Sequence, residues 1–162
     1  ESLGVSVKFD NRDTHKPGWK FAEYELKGVP VRLALGNRDL ENGTIEVARR
    51  DTMGKEILQI SDIGNKVVHL LDKIQENLYT KANSFREERT FTANNYDEFK
   101  KYIKMGGFVY AHWDGTSETE EKIKQETKST IRCIPSESVE EEGVCVFSGN
   151  KSERKVLFAK SY

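Results

Sequence analysis

Hydrophobic and polar residues alternate in short runs along the first part of the chain. Val5, Val7 and Phe9 occupy every second position, a pattern typical of a β-strand with one buried face. Three more strands are predicted, at residues 29–35, 44–49 and 56–60. The polar run at residues 36–43 separates two of these strands and predicts a turn.

A short helix is predicted between the first two strands. Pro17 suits the first turn of a helix, where its missing N–H is not needed. Gly28 suits the position just after a helix end, which often needs a left-handed backbone. The apolar side of this helix is formed by Trp19, by Phe21 or Ala22, and by Leu26.

The pattern changes to helical spacing between about Ser61 and Glu88. Apolar residues there recur three and four positions apart, which predicts one long helix with a single hydrophobic stripe. The stripe consists of Val67, Leu71, Ile74, Leu78, Ala82 and Phe85. We expect this helix to connect two halves of the chain.

The second half of the chain has the pattern of a separate small domain. Asn94 or Asn95 can cap a helix that continues through Lys104 and is stopped by Gly106 and Gly107. A highly charged helix is predicted to start with the capping-box sequence from Ser117 to Glu120. Strands are predicted at residues 108–113, 129–134, 144–147 and 155–159. The last two of these strands are expected to pair with each other.

Composition limits the class of protein. The chain has 162 residues, of which 33% are charged, and this length suits one substantial core or two small ones. The net charge of −1 argues against broad attraction to phosphates, so any RNA-binding surface must be local and mixed with acids. Cys133 and Cys145 are the two cysteines, which favours a reducing, cytoplasmic setting. No apolar run approaches the ~20 residues of a membrane span, and residues 1–10 lack a signal-peptide pattern.

One group of residues in the first half carries the side chains that proteins use to recognise bases. Aromatic rings stack on unpaired bases, carboxylates accept from base amino groups, and Arg and Lys donate to guanine or phosphate. The group comprises Lys20, Phe21, Glu25, Arg32, Arg38, Asp39 and Lys55. The alternative interpretation is a charged helix face beside a core aromatic residue.

No catalytic arrangement stands out in the sequence. His15, His69 and His112 lie far apart and have no nucleophile nearby. The residues from His112 to Asp114 can form a site or simply end a strand. The acidic run at residues 140–142 is expected to be solvated.

The sequence resembles prolyl-tRNA synthetases of the archaeal and eukaryotic type, a class II family, at KPGWKFAEYELKGVPVRLALGNRDLENGTIEVARRD. Its second half resembles the extra C-terminal domain of that type at FVYAHWDGTSETEEKIKQETKSTIRCIP and KVLFAKSY. The resemblance implies an α/β fold: a truncated anticodon-binding α/β domain at residues 1–60 that lacks its first strand and helix, and a small α/β (α+β) C-terminal domain at residues 91–162. A linking helix at residues 61–90 is expected to join them.

The resemblance also implies which residues contact tRNA. In this family the anticodon-binding domain recognises the two guanines that all proline anticodons share. The matching positions are Phe21 for stacking, Glu25 for accepting from the guanine amino edge, and Arg32 and Lys55 for donating to guanine acceptors. Arg32, on a strand, can instead be mainly structural. The matching polar turn adds Arg38 and Asp39, which are expected to contact base or backbone.

Two features of the C-terminal domain concern metal and the chain end. Relatives that bind zinc use four cysteines, and here Cys133 and Cys145 match two of them while Ser138 and Ser148 stand at the other two positions. Neutral serine is a poor zinc ligand, so we expect no metal and interpret the two cysteines as remnants of a zinc site. Tyr162 matches a terminal tyrosine that is expected to reach the catalytic domain, or else is a plain packed terminus.

The implied function is tRNA-anticodon recognition by the C-terminal part of a proline–tRNA ligase. The whole enzyme is expected to join proline to tRNA(Pro) with ATP and magnesium, as a cytoplasmic homodimer. This chain is expected to contain no catalytic residue, to be inactive alone, and to bind tRNA(Pro) and its own catalytic domain but neither DNA nor membrane. Two alternatives stay open: a stand-alone synthetase-like module that binds RNA or protein, and a purely structural interaction domain.

Overall fold

The computed structural model describes residues 3–136 and 140–160. The chain divides into two compact units, residues 1–82 and 83–162, each with its own main sheet and hydrophobic cluster. Ser138 and Tyr162, which the sequence linked to a lost zinc ligand and to a catalytic domain, lie outside the described residues. None of the helices in the described ranges combines the length and the apolar character that a membrane span needs.

Helices and one antiparallel sheet build the first unit. In the described part of this unit the elements are α1 (Pro17–Leu26), β1 (Val31–Ala34), α2 (Asn37–Asn42), β2 (Thr44–Arg49), β3 (Lys55–Gln59) and α3 (Ile63–Glu88). The strands lie in the order β1-β2-β3, and both neighbouring pairs are antiparallel. The long helix α3 begins after a 3₁₀ turn and continues past residue 82 into the second unit.

The segment that contains Val5, Val7 and Phe9 is irregular, so the strand predicted there is wrong. Val7 is 67% exposed and Phe9 is 80% exposed. No strand among the described residues pairs with this segment, and alternation produces a strand only where a neighbour satisfies the backbone groups. The chain turns locally instead, because the Asp10 carboxylate accepts hydrogen bonds from the backbone and side chain of Arg12 at 3.1 and 2.9 Å.

Helix α1 starts and stops where the sequence predicts. Pro17 lies in its first turn, and Gly28 follows its end with a left-handed φ of +79°. The Gly28 N–H donates to the Glu25 carbonyl at 3.1 Å, and the Val29 N–H donates to the Tyr24 carbonyl at 3.0 Å. These two bonds are the Schellman pattern, which ends the helix sharply and directs the chain into β1.

The segment predicted as a turn at residues 36–43 contains the short helix α2. The Asp39 carboxylate accepts a hydrogen bond from the Gly36 N–H at 2.9 Å and closes the first turn. Gly43 ends the helix with a left-handed φ of +66°. Hydrophobic periodicity could not reveal this helix, because six residues cover less than two turns.

One face of the sheet packs against α3 and forms the core of the first unit. Ile45 and Val47 on β2 are buried together with Leu70 on α3. Partly buried side chains complete this cluster: Val31, Leu58, Ile60 and Ile63. Burial of aliphatic side chains of this size stabilises a fold by about 1.5–3 kcal/mol each, so this cluster is what holds the sheet to the helix.

The stripe predicted for α3 is only partly correct. Leu70, which the prediction omitted, is 8% exposed, and Ile74 is 4% exposed. Leu78 and Phe85, which the prediction placed in the stripe, are 49% and 57% exposed. The Phe85 ring instead lies under the Arg89 guanidinium at 4.2 Å, so an apolar residue at helical spacing here contacts a cation and not a core.

A buried carboxylate ties the end of β2 to α3. The Asp51 side chain is 1% exposed, and its Oδ2 accepts hydrogen bonds from Arg49 and from Asn77, both at 2.7 Å. The hydrogen bond from Arg49 is the main reason that the pKa of Asp51 lies below its ordinary value. The turn between β2 and β3 is therefore anchored to the long helix.

The second unit is a small sheet covered by two helices. Its elements in the described ranges are β4 (Thr90–Thr92), α4 (Tyr96–Met105), β5 (Phe108–His112), α5 (Ser117–Thr127), β6 (Ser129–Cys133), β7 (Gly143–Val144), β8 (Lys151–Ser152) and β9 (Lys155–Lys160). The main sheet has the order β4-β5-β9-β6, with β4 parallel to β5 and the other pairs antiparallel. The buried cluster comprises Ala93, Phe99, Ile103, Val109, Ala111, Ile123, Val156 and Phe158.

Strand pairing in the second unit differs from the prediction in two respects. β9 pairs with β5 and β6, whereas the segment at residues 144–147 contributes only to the two-stranded β7–β8 ribbon. Strand β4 was not predicted, because its three residues are too few to show alternation. Long-range pairing of this kind depends on which strands share a core, and a local pattern does not contain that information.

The helix caps of the second unit follow their sequence signals closely. The Asn95 side chain accepts a hydrogen bond from the Glu98 N–H at 2.9 Å, so Asn95 and not Asn94 caps α4. For α5 the predicted cap is off by one residue, since Thr116 and not Ser117 accepts the bond, from the Thr119 N–H at 3.3 Å. Both caps satisfy a backbone donor that the helix itself leaves unpaired.

The carboxylate of Asp114, just after β5, fastens the turn that follows β7. Its Oδ2 accepts hydrogen bonds from Thr119 at 2.8 Å, Ser148 at 2.5 Å and Asn150 at 3.4 Å, and its Oδ1 accepts from Thr116 at 2.9 Å. Partial burial raises the pKa of Asp114, but the hydrogen bonds donated by Ser148, Thr119 and Thr116 outweigh it and bring the pKa to about 2. The ionised form is therefore the one that the fold needs.

The Asn95 cap gives a direct test of α4. We expect Asn95→Ala to lower the free energy of unfolding by about 1 kcal/mol, because one helix N–H loses its partner. Asn94→Ala is the matched control, and we expect it to change stability by less than about 0.5 kcal/mol. Urea unfolding followed by circular dichroism measures both, and equal effects of the two substitutions would contradict the assignment of the cap.

Acid should weaken the second unit through Asp114. The pKa of Asp114 falls from 3.8 to about 2 on folding, so its contribution is complete above pH 4 and is lost as the pH falls through 2. We expect Asp114→Asn to cost roughly 1–2 kcal/mol near pH 6 and less than about 0.5 kcal/mol near pH 2. Asp97→Asn, an exposed carboxylate change on α4, is the control, and a penalty for Asp114→Asn that does not vary with pH would refute this account.

Candidate nucleic-acid interface

Period-two alternation gives the first sheet one apolar and one polar side. Ile45 and Val47 point into the core with α3, so the residues that alternate with them along β2 project from the other side of the sheet. We call this other side the polar face; it comprises Arg32, Ala34, Glu46, Ala48, Lys55 and Ile57. On the polar face the sheet brings together residues that are far apart in the sequence, such as Arg32 and Lys55.

The antiparallel register aligns two cations across the polar face. Arg32 on β1 lies opposite Ala48 on β2, and Ala48 in turn lies opposite Lys55 on β3. Neighbouring strands are about 4.8 Å apart, so the two cationic residues start roughly 10 Å apart with only a methyl group between them. The small Ala48 side chain leaves the space between the two cations open.

Arg32 is held by an aromatic ring and a carboxylate. Its guanidinium carbon lies 3.5 Å from the centre of the Phe21 ring on α1, and its Nη1 lies 3.5 Å from Glu46 Oε1. The Arg32 side chain is 13% exposed. Its Nε is buried without a hydrogen-bond partner in the described residues, which is a cost that the stacking on Phe21 must offset.

Glu46 is shared between the two cations. Besides Arg32, it contacts Lys55, whose Nζ lies 3.2 Å from Oε1 and 3.3 Å from Oε2. The side chains of Glu46 and Lys55 are 27% and 54% exposed, so the Lys55 ammonium remains accessible to a ligand. Glu46 was not among the residues predicted for the site. Its position two residues before Ala48 on a predicted strand is the sequence signal that places it on the same face.

Glu25 faces the same region from α1. It lines a cleft whose wall also includes Val29, Arg32, Ala48, Arg49, Arg50, Met53 and Lys55. Its backbone carbonyl accepts a hydrogen bond from Arg50 Nε at 2.8 Å, which fixes the end of α1 against the sheet. Its carboxylate has no hydrogen-bond partner within the described ranges and is free to accept from a ligand.

The structure therefore brings together four of the predicted site residues and leaves the others apart. Glu25, Arg32 and Lys55 line one cleft, and Phe21 joins them through its contact with Arg32. Arg38 is exposed on α2, and the Asp39 carboxylate is used to cap that helix; neither lines the cleft. Lys20, also outside the cleft lining, donates a hydrogen bond to the Arg12 carbonyl.

Three of the four positions that the sequence compared with zinc ligands lie among the described residues of the second unit, and Ser148 is one of them. The Ser148 hydroxyl is engaged with Asp114, Cys133 is exposed on β6, and Cys145 is buried. The residues that the structure describes contain no group of three or more His, Cys, Asp or Glu side chains arranged to hold a metal ion. Ser138 lies outside those residues, so the absence of zinc stays a prediction.

The acidic run at residues 140–142 is exposed, as predicted, but each carboxylate also has a cationic neighbour. Arg154 lies 3.4 Å from Glu140, Lys155 lies 2.9 Å from Glu141, and Lys151 lies 2.9 Å from Glu142. Exposed ion pairs of this kind contribute little to stability. The three pairs neutralise the run and make it a poor candidate for binding a cation.

Comparison with known proteins assigns both halves of the chain. Residues 1–70 match the family model described as an anticodon-binding domain, and residues 96–162 match the one described as the C-terminal domain of prolyl-tRNA synthetase. Among curated relatives named proline–tRNA ligase, that of Porphyromonas gingivalis is 60% identical over 98% of this chain, and that of Bacteroides fragilis is 57% identical over 100% of it.

A further relative with the same name, from Flavobacterium johnsoniae, is 56% identical over 99% of this chain. The chain spans about a third of the length of these relatives, 32% of the first and 33% of the other two. The two domain matches lie in the order that the sequence resemblance implied, and the relatives align along the whole chain. The chain therefore belongs to the prolyl-tRNA synthetase family and corresponds to its anticodon-binding and C-terminal portion.

Proposed function

We propose that the cleft beside the polar face recognises the anticodon of tRNA(Pro) on behalf of a proline–tRNA ligase. The observation that carries this proposal is the convergence of Glu25, Arg32 and Lys55 on one cleft in the unit that matches an anticodon-binding domain. These residues come from α1, β1 and β3, so only the folded unit presents them together.

The chemistry of the cleft suits guanine. Guanine presents an N1–H and an amino group as donors, which a carboxylate such as Glu25 can accept together. It also presents O6 and N7 as acceptors, to which Lys55 and Arg32 can donate. Phe21 adds an aromatic surface of the kind on which unpaired bases stack. Adenine has an acceptor at N1 and no amino group at C2, so it would leave the carboxylate unpaired at this edge.

The aminoacylation step belongs to the longer protein of this family. In our proposal that protein joins proline to tRNA(Pro) with ATP and magnesium, as a cytoplasmic homodimer, and the present chain supplies recognition and no catalytic group. A stand-alone synthetase-like module is not favoured, because the relatives aligned along the whole chain are named ligases. A purely structural interaction domain can be told apart from this proposal by experiment, because such a domain would not bind RNA in a base-dependent way.

Base recognition can be tested with two substitutions in the cleft. Glu25→Ala and Lys55→Ala should each reduce discrimination between tRNA(Pro) and a tRNA(Pro) whose two shared guanines are replaced by adenines, by about 1–3 kcal/mol. Filter binding or fluorescence anisotropy with the two RNAs at one fixed salt concentration measures this difference.

The control substitutions make the same changes of charge at positions outside the cleft. Glu76→Ala and Lys66→Ala remove one acid and one base from exposed positions on α3, and we expect both to discriminate as the unmodified chain does. Equal binding of the two RNAs by the unmodified chain would refute anticodon recognition. Unchanged discrimination in both cleft variants would refute the roles assigned to Glu25 and Lys55.

A second test uses the longer enzyme. Lys55→Ala in the full-length protein should raise the KM for tRNA(Pro) about tenfold or more, since one base contact is lost. Proline-dependent exchange of pyrophosphate into ATP should not change, because that half-reaction does not involve the anticodon. A loss of exchange activity equal to the loss of aminoacylation would show that Lys55 acts on the catalytic domain or on folding.

A further inference from the structure

Glu46 has a position on the polar face that no role assigned so far explains. It lies on the central strand β2, one register row away from the line that joins Arg32, Ala48 and Lys55. The same carboxylate oxygen, Oε1, contacts both cations. It lies 3.5 Å from Arg32 Nη1 and 3.2 Å from Lys55 Nζ. Both cationic groups are therefore drawn toward one point in front of Ala48.

These contacts orient the cations without using up their donors. Charge-assisted hydrogen bonds are usually about 2.7–2.9 Å long, and the contacts from Glu46 to Arg32 and Lys55 are longer, at 3.5 and 3.2 Å. Arg32 has five N–H donors and Lys55 has three, so each keeps donors for a base acceptor. A tight bidentate pair would have occupied two of the five donors of Arg32.

The buried nitrogen of Arg32 supports the same interpretation. Its Nε has no partner in the described part of the chain, so the guanidinium does not lie where its own hydrogen bonds would be best satisfied. Its position is determined by the Phe21 ring on one side and by Glu46 at the end that carries Nη1. Of these two contacts, the stacking on Phe21 alone would be left to restrain the direction in which Arg32 donates if Glu46 were removed.

The negative charge of Glu46 has a second consequence. Two unpaired cations on one face would attract any phosphate, and that attraction carries no sequence information. A carboxylate between them lowers the local positive potential and leaves short-range hydrogen bonding as the main source of binding. This placement agrees with the net charge of −1 of the whole chain, which likewise disfavours binding to the phosphate backbone alone.

We propose that Glu46 is a positioning and specificity-determining residue, which directs Arg32 and Lys55 toward base acceptors and suppresses their binding to phosphate. This inference rests on the proposed recognition of the anticodon by the cleft. It predicts that removing the charge of Glu46 makes RNA binding less selective, while binding to RNA that lacks the guanines becomes stronger.

The test compares Glu46→Gln with Glu56→Gln in the 162-residue chain. Glu56 lies opposite Val47 on β3, so it projects from the other side of the sheet and provides the same loss of charge away from Arg32 and Lys55. The probes are two synthetic RNA hairpins with the tRNA(Pro) anticodon loop, one with its two guanines and one with adenines in their place. Affinities are measured at two salt concentrations.

We expect Glu46→Gln to reduce discrimination between the hairpins about fivefold to tenfold. Binding of the adenine hairpin should strengthen about twofold to threefold and should depend more steeply on salt, because the cations become available to phosphate. Glu56→Gln should change neither quantity. A merely structural role of Glu46 would weaken binding of both hairpins together and would not steepen the salt dependence.

The possible outcomes separate this inference from the proposed function. If the unmodified chain binds both hairpins equally, anticodon recognition fails and the role of Glu46 fails with it. If the unmodified chain discriminates and Glu46→Gln behaves like Glu56→Gln, only the role of Glu46 is refuted. Thermal unfolding of both variants, with Glu46→Ala as a third, identifies a folding defect, and selectivity that falls only in proportion to lost stability also refutes the role.

Discussion

The antiparallel register of β1, β2 and β3 is the constraint on which the candidate interface depends. It places Arg32, Ala48 and Lys55 in one row across the sheet, with apolar neighbours of β2 directed into the core. A slip of one residue would move each side chain to the other face and would bury the two cations against α3. The same apolar cluster that stabilises the first unit thus also fixes which residues a ligand can meet.

The polar face shows how a nearly neutral chain can offer an RNA-binding surface. Arg32 and Lys55 are close enough to share Glu46, and Glu25 adds a second carboxylate to the same cleft. A surface with this mixture of signs attracts phosphate weakly, so its binding energy must come from hydrogen bonds and stacking at short range. The Phe21 ring and the Arg32 guanidinium, 3.5 Å apart, form the stacked part of that surface. The proposed selectivity for bases and the low local charge of the cleft both follow from this mixture of signs.

The sequence predicted those features that depend on local chemistry. The Gly28 end of α1, the Asn95 cap of α4 and the limits of β2 all follow from residues within one turn or one strand. The pairing of β9, the exposure of Phe9 and the shared contact at Glu46 depend on which distant segments meet, and no local period contains that information. Side-chain chemistry named Phe21, Glu25, Arg32 and Lys55 as candidates, but spacing alone favoured a charged helix face beside a core aromatic residue. The resemblance to a family is what favoured the site.

The second unit illustrates how one hydrogen-bonded carboxylate can restrain a turn. Asp114 holds Ser148 and Asn150, while the backbone N–H of Val146 donates to the His112 carbonyl at 3.2 Å and that of Cys145 donates to the Asn150 carbonyl at 2.8 Å. The bonds to Asp114 and His112 join the turn to the end of β5, and the bond from Cys145 to Asn150 closes the turn itself. The Asp114 carboxylate makes these bonds in its ionised form, so the restraint on the turn weakens when acid protonates it.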